Sequence, residues 1–388
     1  MRIGIFTDSY TPYVSGVVRS IVTLRDILES QGHEVYVFAP AYPHGCGADD
    51  ARVFRYPSVA APSYRDFRIP LPVWSRVRRD AGDLGLQVIH AHSPFIMGRL
   101  GMRLARSLGV PFCLTYHTLY DAYLERYAAG FSTLLLPALH AYLQSFCNRT
   151  DVILTPTYAV YRQLRRMGVR SRLEVVPTGI DLRRFQAGSR AQGRRRLGLP
   201  GDVPLLVYVG RLSVEKNLPL LLDAFRRVAA ARLDVHMVMV GDGPLRAHLE
   251  AQTLERPLRG RLHLTGPLEP EAVADVLAAG DLFAFASVTE TQGLVLVEAM
   301  AAGLPVVCVR SSATSEVVRE GVDGLVVDND AGAVAEALLR MLADPDARVR
   351  ASRAARERAR MFSVDRMARQ MLDLYRRLAG VPPVARVS

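Results

Sequence analysis

The chain has 388 residues, of which 49 are Lys or Arg and 38 are Asp or Glu, for a formal charge of +11; 49% are hydrophobic and 22% charged. This balance excludes a disordered tail, a collagen-like repeat and a small disulfide scaffold, and the length points to two domains of roughly 150–200 residues each. Basicity by itself admits nucleic acid, anionic lipid or phosphorylated small molecules as partners, yet every basic residue except Lys216 is Arg.

In chain order, short apolar runs ending in turn residues alternate with longer amphipathic segments, the pattern of β-α-β units around a parallel sheet. Strands are predicted over residues 1–6, 34–39, 88–91, 112–115 and 152–156. A helix over 17–31 places Val18, Ile21, Val22, Leu24, Ile27 and Leu28 largely on one face. Residues 181–202, rich in Arg and Gly and poor in apolar side chains, read as a linker. A second series follows, with strands over 205–209, 235–240, 262–264, 283–286 and 306–309 and a helix over 218–231. Residues 363–378 form an Arg-rich amphipathic helix that could join either domain. The expectation is an α/β protein of two doubly wound parallel-sheet domains, 1–182 and 203–362, joined by 183–202 and closed by a helix and tail over 363–388. In such sheets ligands collect beyond the carboxyl ends of the strands, so a cleft between the domains is the expected site.

Cys46, Cys113, Cys147 and Cys308 show neither C-x-x-C nor zinc-ligand spacing, which favours a reduced, cytoplasmic protein. The N-terminus reaches the polar Thr7-Asp8-Ser9 too soon for a signal-peptide core. Residues 127–148 carry no formal charge, but Gly130, Pro137, His140, Gln144 and Asn148 make them a buried or interfacial helix rather than a membrane span.

The most informative run is Ser287-Val288-Thr289-Glu290-Thr291-Gln292-Gly293-Leu294-Val295-Leu296-Val297-Glu298. A helix starting near Gln292 would offer its free N–H groups to an anion, with Gly293 allowing close approach. Glu290 would sit just ahead of that helix and Glu298 about two turns inside it, where two carboxylates can accept from hydroxyls at separate points of one long ligand. This run resembles the E-x7-E signature of the retaining glycosyltransferases of family 4, which have the GT-B architecture of two facing Rossmann-like domains. The resemblance gives Glu290 a contact with the donor sugar, the amides of Gln292, Gly293 and Leu294 the sugar or diphosphate, and Glu298 the ribose hydroxyls. Gly210, Arg211 and Lys216 resemble the family's G-R-x-x-x-x-K motif, whose cations neutralise the donor diphosphate as charge develops on it. A chain that otherwise uses Arg throughout has Lys at this position, and a compact ammonium is not interchangeable with a planar fork. Ser15-Gly16-Val17-Val18 matches the Gly-rich turn that faces the phosphates, and Tyr116-His117-Thr118 the segment whose His lies near donor sugar and acceptor. Gly241-Asp242-Gly243-Pro244 is not a dinucleotide fingerprint, since Ala247 takes its last position; in the resembling family Gly243 borders the nucleotide pocket. Asp344-Pro345-Asp346 falls between helical segments, and no metal is expected there or as an essential cofactor.

Residues 6–10 with 14–17, Tyr116 to Tyr123 including Tyr120 and Asp121, and residues 289–294 with Gln292 look like the bacterial diacylglycerol glycosyltransferases, which are typically monotopic membrane enzymes. Asp121 stands where Glu is common in that subgroup. Trp74 beside Arg76, Arg78 and Arg79 combines the lone Trp with cations in the manner of an interfacial segment, and Arg162, Arg165, Arg166, Arg170 and Arg172 form a second basic cluster. The expected activity is retaining transfer of glucose or galactose from a UDP-hexose to diacylglycerol at the cytoplasmic membrane face. Phosphatidylinositol or a soluble acceptor remains an alternative, as does a non-catalytic lipid-binding scaffold. No recognition-helix, stacking-aromatic or zinc pattern accompanies the charge, so nucleic acid is not an expected partner.

Overall fold

The computed structural model describes residues 1–43, 50–61, 64–117, 132–201 and 203–381. The chain forms two compact units, Met1–Gly179 with Val364–Ser388, and Ile180–Ser363.

Unit 1 runs β1 (Arg2–Phe6), α1 (Gly16–Ser30), β2 (Glu34–Pro40), β3 (Val53–Tyr56), β4 (Ser58–Ala61), β5 (Tyr64–Pro70), α2 (Trp74–Gly82), β6 (Val88–Ala91), α3 (Ile96–Leu108), β7 (Phe112–Thr115), α4 (Ser132–Cys147), β8 (Val152–Thr155), α5 (Tyr158–Arg166) and β9 (Arg172–Val175). Seven strands form a parallel sheet in the order β3-β2-β1-β6-β7-β8-β9, and β4 and β5 pair as an antiparallel hairpin. All four residues of each of β6, β7 and β8 are buried, as central strands covered on both faces require, which is why they read as short, mostly apolar runs. Helix α1 begins where Ser15, in extended conformation, accepts a hydrogen bond from Val18 N at 3.2 Å. Its face of Ile21, Leu24 and Leu28 packs into a core that also holds Met367, Met371, Leu372 and Tyr375 of the C-terminal helix. That burial, about 1.5–3 kcal/mol for each large apolar side chain, binds the C-terminal helix to unit 1.

Unit 2 runs α6 (Leu182–Gln186), α7 (Arg190–Leu197), β10 (Leu205–Val209), a 3-10 turn (Val214–Lys216), α8 (Leu218–Ala231), β11 (His236–Val240), α9 (Arg246–Gln252), β12 (Leu262–Gly266), α10 (Pro270–Ala279), β13 (Leu282–Phe285), α11 (Leu294–Ala302), β14 (Val306–Val309), α12 (Thr314–Val317), β15 (Gly324–Val327), α13 (Ala331–Ala343) and α14 (Pro345–Ala359); α15 (Val364–Leu378) then completes unit 1. Its six-stranded sheet is parallel in the order β12-β11-β10-β13-β14-β15. The two parallel sheets bear out the α/β doubly wound expectation.

The structure adds three details to the sequence reading. The stretch expected as a linker is built into unit 2: α7 packs on α10, and the space beside Gly188 and Gly193 is filled by the backbone carbonyls of Ala274 and Asp275. Low apolar content misled there, because the contact is made by glycines and by the buried Arg194, whose guanidinium bonds Ala279 O, Val203 O and Asp281. The edge strands β3, β9 and β15 were not anticipated; each has only one neighbour, and β3 and β9 carry charged side chains that an edge strand tolerates, whereas β15 is a short apolar run that the sequence reading left out. Finally, α4 contains Pro137, and among the described residues no helix is long and apolar enough to cross a membrane.

Candidate active site

In unit 2 the expected residues gather at the carboxyl end of the sheet. Strand β10 ends at Val209, and Gly210 N continues the ladder to Val240 O at 3.0 Å before the chain turns through Arg211. Tyr208 hydroxyl donates to Arg211 O at 3.0 Å; burial, then the nearby Glu290 and Glu215, push its pKa up, so it acts as a fixed donor. Leu212 N bonds Asp242 O at 2.9 Å, which lays this turn against the one after β11. Gly243 (φ 157°) is required in that contact, since a Cβ there would lie 2.5 Å from Leu212 O.

Lys216 ends the 3-10 turn, and its Nζ lies 2.6 Å from Glu290 Oε1. Both are half-buried, with side-chain exposures of 24% and 17%. The turn is stitched to the loop carrying Glu290. Asn217, in the left-handed conformation (φ 55°), donates from Nδ2 to Ala286 O at 3.2 Å and to Asn329 Oδ1 at 2.8 Å. Glu215 O in turn accepts from Ser287 Oγ at 3.4 Å and Thr289 Oγ1 at 3.2 Å. Asn217 was not anticipated as part of the site, and Ser287 and Thr289, although inside the run singled out from sequence, were given no role there. The only sequence signal for Asn217 was an Asn directly before a helix start, where Asn tolerates positive φ better than other side chains.

The E-x7-E run forms as expected, with one correction. Helix α11 begins at Leu294 behind Gly293 (φ 77°), two residues later than the sequence suggested, so Glu298 lies little more than about one turn inside it. Gln292 and Glu298 are buried at 2% and 3% exposure. The helix N-terminus places the amides of Gly293 and Leu294 and the positive end of its dipole beside the Lys216–Glu290 pair. Arg211 is exposed.

In unit 1 Gly16 opens α1, and nothing lies within 4 Å of the position a Cβ would take, so internal packing does not demand a glycine there. His117 follows β7, with its Nε2 2.8 Å from Nδ1 of His92, which follows β6. His92 also lies against His90, with ring centroids 4.1 Å apart and planes tilted by 38°. Burial pushes the His117 imidazole down to about 4 and that of His90, with a smaller effect from His117, to about 3; His92 is lowered by burial and by its two neighbours. Asp8, at the end of β1, accepts from Ser93 Oγ and from Met97 N at 2.9 Å, and burial outweighs these bonds to raise its pKa. Sequence reasoning passed over His90, His92 and Asp8, although two His at i and i+2 at the end of a strand face the same side.

Tyr120, Asp121 and Tyr123 lie outside the described residues. Trp74 is half-buried against the unit 1 core with the Arg103 guanidinium 4.2 Å from its ring centroid, whereas Leu71 and Val73 just before it are 51% and 61% exposed. Arg76, Arg78 and Arg79 are exposed. In the second basic cluster, Arg165 binds Val169 O and Ser171 O, and Arg172 pairs with Glu174 at 2.6 Å. Asp344 caps α14 by accepting from Ala347 N at 2.8 Å, which accounts for the D-x-D string as a helix start.

Two family models match the chain: Glycosyltransferase Family 4 over residues 14–184 and Glycosyl transferases group 1 over residues 189–358. The alpha-monoglucosyldiacylglycerol synthase of Streptococcus pneumoniae is 34% identical over 355 residues, covering 89% of this chain and 79% of that one. The protein of the same name from Acholeplasma laidlawii is 32% identical over 339 residues, 84% of each. Among solved structures, sucrose-phosphate synthase from Thermosynechococcus elongatus superposes with a TM-score of 0.80 over 98% of this chain and 99% of that one, at 23% identity. With both family models matched end to end along the chain and two Rossmann-like parallel sheets in place, the chain belongs to the family 4 glycosyltransferases and has the GT-B fold.

Proposed function

We propose that this glycosyltransferase moves glucose or galactose from a UDP-hexose to the free hydroxyl of diacylglycerol, with retention, at the cytoplasmic face of a membrane. The observation that carries the reading is the Lys216–Glu290 pair at the head of α11 in a chain 34% identical to a monoglucosyldiacylglycerol synthase. In the reaction the bond from the anomeric carbon to the diphosphate breaks and a bond to the acceptor oxygen forms, while the acceptor proton passes to the departing diphosphate. Lys216 and Arg211 stabilise the charge that develops on that leaving group, and preorganised cations do so without the reorganisation water would need. Glu290 and the amides of Gln292, Gly293 and Leu294 orient the hexose, Glu298 accepts from the ribose hydroxyls, and Gly16 and Gly243 let backbone approach the nucleotide. His117 contacts the donor sugar. No metal takes part in this scheme. Leu71 and Val73 with Arg76, Arg78 and Arg79 supply an apolar and cationic surface suited to anionic lipid.

The test is transfer from a panel of UDP- and GDP-sugars in mixed micelles with diacylglycerol, phosphatidylinositol or a soluble sugar acceptor, with the anomeric configuration of the product read by NMR. An α-linked monohexosyl diacylglycerol formed from UDP-glucose or UDP-galactose is expected. Turnover confined to another donor or acceptor would overturn the substrate assignment, and absence of turnover with every pair would leave a lipid-binding scaffold.

A further inference from the structure

His92 and His117 share one hydrogen bond, Nδ1 to Nε2 at 2.8 Å, with the rings nearly parallel at 18°. Two neutral imidazoles joined in this way hold one proton between them, and it can sit on either ring. With the proton on His117 Nε2, the proton of His92 must sit on its own Nε2, which is buried and meets no hydrogen-bonding partner among the described residues. With the proton on His92 Nδ1, the buried His92 Nε2 is only an unused lone pair. A buried orphan N–H is the rarer and costlier of the two. His90 cannot rescue it, because its nitrogens are taken by Tyr375 hydroxyl and Thr115 Oγ1, each at 2.7 Å.

We infer that His92 donates from Nδ1 to His117 Nε2, which fixes His117 as the Nδ1–H tautomer and makes His92 a positioning residue for it. Burial keeps the rings neutral, so the arrangement persists at neutral pH. His117 then has no lone pair left to take a proton from an acceptor hydroxyl. What it offers is a single oriented donor, Nδ1–H, suited to a hydroxyl oxygen of a sugar. This last consequence rests on the proposed transferase reading; the tautomer does not.

The experiment uses the full chain with its histidine rings labelled with nitrogen-15, in long-range proton–nitrogen correlation spectra near neutral pH, with His117 assigned by its loss in His117→Gln. The wild type should show His117 protonated at Nδ1. In His92→Asn the side-chain amide can replace the Nδ1–H donor and should keep that tautomer and recover most of the transfer, whereas His92→Leu should release it and lower kcat about tenfold with little change in donor KM. An Nε2–H form of His117 in the wild type, or an unchanged tautomer in His92→Leu, would overturn the assignment. The wild-type spectrum decides even if a variant fails to fold. The assigned tautomer in a protein without transfer activity would count against the proposed function and not against the role of His92.

Discussion

Replacing Lys216 by Arg keeps the charge and changes its shape, which isolates what the site requires. The backbone on both sides of Lys216 is tied to the neighbouring loop, through Asn217 Nδ2 to Ala286 O and through Glu215 O to Ser287 and Thr289. Nζ therefore reaches its place 2.6 Å from Glu290 from a fixed starting point. A guanidinium is wider and planar, and in the same space it must displace Glu290 or leave the position where a phosphate oxygen would meet it. A unit charge about 4 Å from a phosphate oxygen is worth about 4 kcal/mol at an effective dielectric of about 20. Loss of one preorganised group of this kind typically costs about 10²–10³ in kcat. We expect kcat to fall about 100-fold in Lys216→Arg and about 1,000-fold in Lys216→Ala. Stability should hardly move, because the pair keeps side-chain exposures of 24% and 17% and a screened pair contributes about 1 kcal/mol or less. Initial rates from UDP-glucose to diacylglycerol, paired with thermal unfolding, provide the check. Wild-type kcat in Lys216→Arg would refute the argument, and so would a loss of activity accompanied by a fall in Tm of more than about 10 °C, which would make the effect structural.

Glu290→Gln removes the ion pair while keeping the side chain's shape, and transfer should drop about 100-fold with Tm nearly constant; a change below about threefold in the rate assay would show that Glu290 has no role in the chemistry. Gly243→Ala pushes a Cβ toward Leu212 O at 2.5 Å and should cost about 2 kcal/mol or more in denaturant titration, against no loss if the turn relaxes freely. Arg194→Met leaves Asp281 without one of its two guanidinium partners and several carbonyls without a donor, so unit 2 should lose about 3 kcal/mol, read as an earlier urea transition. The histidine cluster predicts pH dependence: folded pKa values near 3 for His90 and 4 for His117 lie below the unfolded value near 6.5, so the unfolded chain binds more protons between these limits. Stability is then complete above about pH 6.5 and falls as pH drops toward 4, by up to about 1.4 kcal/mol per pH unit for each ring. Asp8, whose pKa is raised, acts in the opposite sense near the acid end. Urea midpoints that stay flat between pH 6.5 and 5 would contradict this burial.

The fold was legible wherever strands are covered on both faces. The central strands β6, β7, β10 and β14 fall at the residues read from sequence, since each is a short run dominated by apolar side chains and bounded by turn residues. One edge, β12, was read from sequence, but β3 and β9 were not, because Arg55 in β3 and Arg172 and Glu174 in β9 break an apolar run without harming a strand that has one neighbour. In the candidate site, the residues singled out from sequence carry an unusual local signature: the lone Lys216, the two Glu spaced across a helix start, and Gly293 just ahead of that helix. Those that act by long-range contact were missed. Asn217 matters through Ala286 and Asn329, and His92 through His117, pairings that sequence separation hides and the sheet order creates.

The Arg content has a structural cause that charge alone conceals. A net charge of +11 invites reading the arginines as surface cations, each replaceable. Several instead close carbonyls that helix and loop ends leave open. Arg194 takes Ala279 O, Pro200 O and Val203 O; Arg348 takes Met341 O and Leu342 O; Arg358 takes Val317 O and Glu316 O; Arg261 takes Ala229 O, Arg232 O and Pro257 O. The last few carbonyls of a helix have no partner within it, and a planar group with five donors can satisfy two or three of them at once and remain charged throughout. Lys brings three donors on one nitrogen, whereas the guanidinium spreads five over a plane and matches carbonyls that face it from different directions. The exception differs in its partner: Lys216, at the end of a 3-10 turn, faces one carboxylate oxygen, which a compact ammonium meets with a single contact. At these four positions arginine follows from geometry at carbonyls, and the single lysine sits where the partner is one carboxylate oxygen.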